Sequence, residues 1–193
     1  MTGSAPSPEQ DIAAPNFAGI AARITRPVVL VGLMGVGKST VGRKLAAILG
    51  RDFIDADEAI VEAAQRTIPE IFETFGEAHF RDGERRVIAR LIDEAHGVIA
   101  TGGGAFVDPG TRAAILDRGI AVWIDCDIDT LVERTARRNT RPLLQNGDPR
   151  EILTRLAAER APFYAQAHIR VVSETGPHSD TARAIIEAID QWL

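Results

Sequence analysis

The chain has 193 residues, with 22 lysines and arginines against 27 aspartates and glutamates, for a formal net charge of −5 at pH 7. That length suits one domain, and 45% hydrophobic with 25% charged residues is an ordinary globular composition, which excludes disorder throughout. An isoelectric point near 5.4 and the lack of any block of Lys or Arg argue against a general nucleic-acid or anionic-membrane binder, because such binding draws on clustered positive charge.

Residues 1–26 mix Ser, Pro and Ala with Glu9 and Asp11 and contain no apolar core of a signal peptide. They fit neither a secretory signal nor an acid-poor transit peptide, and the expectation is a disordered tail ahead of a single domain over 27–193. From Pro27 onward, short β-branched runs alternate with longer helical patterns, the signature of a parallel sheet with crossover helices. Strands are expected at 28–31, 52–55, 97–101, 120–125 and 169–173. Several are continuous apolar runs, as in a sheet covered on both faces. Apolar residues at three- and four-residue intervals predict helices over 38–49, 77–94, 112–116, 129–137, 149–166 and 181–192, and a shorter one over 58–64. Residues 137–148, with three arginines, two asparagines and a proline but no clear period, are expected to form a mobile loop. The longest apolar run, 28–36, is less than half of the roughly 20 residues a membrane span needs. The single cysteine, Cys126, permits neither an intrachain disulfide nor a four-thiolate zinc site, which suits a reducing cytoplasm.

The strongest chemical signal is Gly32-Leu33-Met34-Gly35-Val36-Gly37-Lys38-Ser39-Thr40, a phosphate-binding loop between a predicted strand and a predicted helix. Loop amides and the positive end of the helix converge there on one anion. Lys38 is expected to reach the β and γ phosphates and the Ser39 hydroxyl to ligate Mg²⁺. The chain has only two lysines, Lys38 and Lys44, among its 22 basic residues, so a lysine at 38 goes against a marked preference for arginine. Asp55 and Asp57 stand at the carboxyl end of the second strand, where ligands of open α/β sheets bind. Read as an extended segment, both carboxylates face the site; alternatively Asp57 caps the helix that follows. Arg81, in a charged helix with Glu77 and Glu84, reads on spacing alone as a solvated surface residue. Gly102, Gly103 and Gly104 follow a buried strand and leave no side chain between the backbone and a ligand. His79, His96, His168 and His178 lack metal-ligand spacing, and Cys126 has no base beside it.

Taken together, the phosphate loop, Phe-Ile-Asp-Ala-Asp at 53–57, Phe-Arg-Asp-Gly-Glu at 80–84, Thr-Gly-Gly-Gly at 101–104, Arg-Pro-Leu-Leu at 141–144, and Arg160 with Tyr164 in Glu-Arg-Ala-Pro-Phe-Tyr resemble the shikimate kinase family, in family order over 27 to about 173. The resemblance implies a three-layer α/β P-loop kinase fold: a five-stranded parallel sheet in order 2-3-1-4-5, helices on both faces and a short mobile lid. It also implies ATP-dependent phosphorylation of the 3-hydroxyl of shikimate, a step of aromatic amino-acid synthesis, with Mg²⁺ as cofactor. Carried over, Gly35, Val36, Gly37, Lys38, Ser39 and Thr40 would hold ATP, with Ser39 and Asp55 organising Mg²⁺. Asp57 would hold the ring hydroxyls, Arg81 and Arg160 would clamp the carboxylate, and Gly102, Gly103 and Gly104 would close the pocket. Arg141 would meet the transferring phosphoryl group from the lid, and Arg134 is similar in position to the arginine that packs against adenine. The segment 173–177 matches the family's adenine loop only loosely, and the tail is an addition to the family pattern. Two other readings use the same residues, a kinase of another polyol acid such as gluconate and a nucleotide-binding regulatory module without catalysis. A cytoplasmic monomer is expected, with ATP and shikimate as its partners and neither nucleic acid nor membrane.

Overall fold

The structure, a computed structural model, describes residues 16–94, 97–136 and 147–193. Five strands, β1 (Val28–Val31), β2 (Phe53–Asp55), β3 (Val98–Ala100), β4 (Ile120–Asp125) and β5 (Ile169–Val172), form one sheet in the order β2-β3-β1-β4-β5. Every pairing is parallel, as the family resemblance implies. The central strand β1 is entirely buried, which explains its unbroken run of Val and Leu. The edge strand β5 instead alternates buried and exposed residues.

Around the sheet stand α1 (Phe17–Arg23), α2 (Lys38–Leu49), α3 (Ala56–Ala64), α4 (Ile68–Asp93), α5 (Pro109–Arg118), α6 (Ile128–Ala136), α7 (Pro149–Tyr164) and α8 (His178–Trp192). A short 3-10 turn covers Ala105–Val107. Helices α1, α2 and α8 pack on one another, whereas α4, α5 and α7 gather around the 3-10 turn. The register fixes the site. Leu30 of β1 pairs with Ala100 of β3, which pairs with Asp55 of β2. The phosphate loop, the glycine run and the Asp55 corner therefore leave the sheet side by side at its carboxyl edge. Thr101 ties two of them together: its amide and its hydroxyl both donate to Leu30 O, at 3.2 and 3.0 Å.

The structure departs most from the expected elements in two places. Helix α4 begins nine residues before the predicted start at 77, with Thr67 and Glu70 forming a reciprocal capping box. Gly76 breaks its dihedrals at φ 79°, ψ 173°, and that interruption hides the first half from a search for one continuous period. Ile60, Ile71 and Phe80 form a small apolar cluster of their own between α3 and α4. The second departure is at the amino end. Residues 17–23, assigned to the tail by composition, are helical in α1, and residues 1–15 lie outside the described residues. Averaging over Ser, Pro and Ala concealed an apolar stripe, of which Ile20 is buried and Ile24 is 1% exposed. Asn16 Oδ1 caps α1 by accepting from the Gly19 amide at 3.0 Å. Arg51, just past α2, donates to the Ala21 and Ile24 carbonyls, and Arg23 pairs with Asp190 of α8.

Because Ile24 is enclosed and the Arg23–Asp190 pair is exposed, the two contacts differ in worth. Ile24→Ala should lower unfolding stability by about 2–4 kcal/mol, whereas Arg23→Ala should cost about 1 kcal/mol or less. Urea denaturation of the two variants measures this; equal and negligible shifts would mean that α1 does not dock.

Candidate active site

The phosphate loop opens directly from β1. Gly32, Gly35 and Gly37 have φ of 139°, 89° and 93°, conformations that only glycine adopts at little cost. A Cβ on Gly32 would lie 2.4 Å from the Ile124 carbonyl oxygen, so the loop is also pressed against β4. Gly37 caps α2 with no side-chain hydrogen bond, leaving the first amides of the helix turned toward the loop. Lys38, 8% exposed, folds over it and donates from Nζ to the Gly32 and Leu33 carbonyls, both at 2.8 Å. Thr40 follows Ser39 in the first turn of α2. The charge is thus held over the phosphate cradle by the loop's own backbone.

Ser39 Oγ donates to Asp55 Oδ2 at 2.5 Å, and Asp55 Oδ1 accepts from the Asp57 amide at 3.0 Å. Asp55, not Asp57, is therefore the cap of α3. The expected extended geometry from 55 to 57 does not hold either, because the chain turns helical at Ala56. Asp55 ends β2 facing the phosphate loop, while Asp57, in the first turn of α3, points toward the glycine run. A hydroxyl beside a carboxylate is a donor set of hard oxygens, which fits Mg²⁺. Among the described residues no cluster of three or more His, Cys, Asp or Glu is grouped to hold a metal.

The glycine run after β3 is where four side chains meet. A Cβ on Gly102 would stand 2.9 Å from Asp57 Oδ1 and 3.1 Å from Glu84 Oε1; one on Gly104 would stand 2.7 Å from Arg81 Nη2; and one on Gly103 would stand 3.2 Å from the Met34 amide and 3.5 Å from Arg160 Nη1. None of the three is left-handed, so their lack of a side chain answers to space, not to backbone conformation. Arg81 Nη1 donates to Glu84 at 2.7 Å and Nη2 to Glu77 at 3.4 Å. Glu84 is 1% exposed. Burial pushes its pKa up, reinforced by Asp57 and Asp108 and opposed by Arg81. Burial works against the charge on Arg81, but Glu84 and Glu77 more than offset it and hold the guanidinium protonated. Spacing predicted these pairings but not their enclosure, so Glu84 was missed as a member of the site; nothing in a charged helical sequence marks which glutamate faces inward.

Across the run, Arg160 of α7 donates from Nη1 to Gly103 O at 3.0 Å, and Tyr164, one turn on, donates to the same oxygen at 2.5 Å. Arg134 of α6 ties the phosphate loop to the segment after β5: it donates to Val36 O and Ser173 Oγ, both at 3.2 Å, and to Glu174 O at 2.7 Å. The structure thus brings together Lys38, Ser39 and Asp55 at one end, and Asp57, Arg81, Gly102, Gly103, Gly104 and Arg160 at the other. Arg141 lies outside the described residues. The arrangement is a phosphate cradle beside a pocket with one carboxylate aimed inward and two guanidiniums on its rim, suited to an acidic polyol.

Comparison with known proteins agrees with that chemistry. The sequence model of the shikimate kinase family matches residues 34–190. A shikimate kinase of Novosphingobium aromaticivorans is 64% identical over 178 residues, 90% of this chain and 92% of that one. Another, from Rhodopseudomonas palustris, is 50% identical over 90% of this chain and 86% of its own. Among solved structures, the shikimate kinase of Acinetobacter baumannii in complex with shikimate superposes with a TM-score of 0.83 at 40% identity, covering 89% of this chain and 97% of that one. A gluconokinase from Sinorhizobium meliloti, at 16% identity and a TM-score of 0.59 over 87% and 93% of the two chains, shares the fold alone. With the family model covering most of its length and close relatives spanning it nearly end to end, this chain belongs to the shikimate kinase family.

Proposed function

We propose that this chain transfers the γ-phosphoryl group of ATP to the 3-hydroxyl of shikimate, giving shikimate 3-phosphate and ADP, and that the residues gathered at the sheet edge divide the work as follows. The observation that carries the assignment is the convergence of Asp57, Arg81 and Arg160 on the glycine run directly beside the phosphate loop. The amides of Gly35 to Thr40 cradle the phosphates, and Lys38 turns its ammonium toward the oxygens on which charge develops. Ser39 and Asp55 would hold Mg²⁺, which when bound supplies neutralising charge for the phosphates. Arg81 and Arg160 clamp the substrate carboxylate, a task that suits the paired donors of guanidinium better than the point charge of lysine. Asp57 accepts the hydrogen bond of the reacting hydroxyl and takes its proton as the new oxygen–phosphorus bond forms and the bond from phosphorus to the leaving oxygen of ADP breaks. Phosphoryl transfer asks mostly for alignment, and a fixed carboxylate supplies it. Arg134 borders the adenine site through its hold on Val36 and Glu174, and Arg141 meets the transferring group from the 137–148 segment. Among the described residues no helix is long and apolar enough to cross a membrane. The reading places a monomer in the cytoplasm, where ATP is at hand.

The direct test is ADP release from ATP and Mg²⁺ in parallel with shikimate, gluconate and no acceptor. Turnover with shikimate alone is expected; turnover with gluconate would overturn the assignment of Arg81 and Arg160. Asp57→Asn should lower kcat by a hundredfold or more with ATP affinity close to normal. Lys38→Ala should weaken nucleotide binding as well as turnover, and nucleotide titration of the two variants separates these roles. Gly102→Ala should fold, since its backbone is not left-handed. The added methyl would displace the carboxylates of Asp57 and Glu84, and steady-state kinetics should show turnover falling at least tenfold.

A further inference from the structure

Two donors meet one half-buried acceptor at the glycine run. Arg160 Nη1 and Tyr164 Oη both donate to Gly103 O, at 3.0 and 2.5 Å, from successive turns of α7. The arginine is a ligand for substrate in the reading above, and the tyrosine has been given no task. Tyr164 is 1% exposed, and its ring stacks on Trp123 of β4 at 5.9 Å between centroids, so its hydroxyl has little freedom to point elsewhere. We propose that Tyr164 is a positioning residue that serves the Gly103 carbonyl permanently, leaving the Arg160 guanidinium able to commit to the substrate carboxylate. This rests on the shikimate kinase reading and deepens it.

Arg160 must leave the Gly103 carbonyl when it turns to its ligand. A carbonyl partly withdrawn from water loses more than a fully exposed one when its donor leaves. If Arg160 were alone in serving Gly103 O, closing on a carboxylate would either strand that oxygen or tether the guanidinium to it. With Tyr164 in place the oxygen keeps a partner in both states. Burial pushes the phenol's pKa up, against the pull of the Arg160 charge, so the hydroxyl keeps the proton it donates. Trp123 continues the register of β4 next to the phosphate loop, so the ring also braces the turn against a rigid part of the sheet. The tyrosine's contribution therefore lies in the difference between the free and the carboxylate-bound site.

That difference gives the test. Tyr164→Phe keeps the ring and removes the donor. The KM for shikimate should rise about tenfold, which corresponds to roughly 1.4 kcal/mol, while the KM for ATP changes less than twofold. In the Arg160→Ala background no guanidinium leaves the carbonyl on binding, so adding Tyr164→Phe should not raise the shikimate KM further. An unchanged shikimate KM in the single variant would overturn the proposal. So would a parallel rise in both KM values, or a rise in the double variant that multiplies the two single effects, because each marks a general loss of packing. Failure of the underlying reading looks different: wild-type protein itself would show no turnover with shikimate. Should Tyr164→Phe not accumulate folded, shikimate titration of Trp123→Phe, which keeps the hydroxyl but loosens the ring, should show a smaller loss of affinity in the same direction; unchanged affinity would count against the bracing.

Discussion

Along Gly102, Gly103 and Gly104, just past β3, a side chain would press on the groups gathered there. Asp57, Glu84, Arg81 and Arg160 approach the backbone of Gly102, Gly103 and Gly104 from α3, α4 and α7, and each would meet a Cβ at 3.5 Å or less. Because β3 lies beside β1, the same absence of side chains brings these groups against the phosphate loop, where the Met34 amide is 3.2 Å from the notional Cβ of Gly103. Helices α3 and α4, which also share the cluster of Ile60, Ile71 and Phe80, and helix α7 thus contribute to one pocket. The spacing between the phosphate loop and the glycine run is set by the separation of neighbouring strands, about 4.8 Å, and not by a loop free to drift.

Electrostatics complete what space begins. A cluster with two carboxylates and two guanidiniums is close to balanced, and the Arg81–Glu84 bond holds one pair in fixed geometry inside the protein. Such a pair is weak evidence for stability, since desolvation offsets its attraction. In the proposed reading its service is orientation: Arg81 enters the pocket already aligned, which lowers the ordering cost on substrate binding. On the other rim Gly103 O holds Arg160 only in the free site, until the guanidinium turns to the carboxylate in the proposed reading. Lys38 is aligned by the loop carbonyls and Ser39 by Asp55, so the polar groups of the site are placed before either substrate arrives.

How much of this was legible in the sequence depended on how local the determinants are. The phosphate loop needs glycine and lysine at fixed spacing, and β1, β4 and α2 fall at their predicted bounds because β-branched runs and helical periods are local properties. The sheet order and the roles of Arg81 and Arg160 were not readable from period or spacing. They came from the resemblance, since a charged helix with Arg81 between Glu77 and Glu84 looks the same whether it faces water or a ligand. What was missed depends on tertiary contact. Ile24 identifies α1 as docked only once α2 and α8 are beside it. Asp55 takes the cap from Asp57 because β2 ends where Ser39 can reach it. Glu84 joins the site by enclosure alone.

The central claim is that one acceptor is held between the two guanidiniums with its reacting hydroxyl on Asp57. A crystal structure of the protein with shikimate, ADP and Mg²⁺ tests it most directly. The account predicts the carboxylate within hydrogen-bonding distance of both Arg81 and Arg160, and the 3-hydroxyl against Asp57 on the side facing the phosphate loop. A carboxylate bound away from either arginine, or a 3-hydroxyl turned away from Asp57, would contradict it.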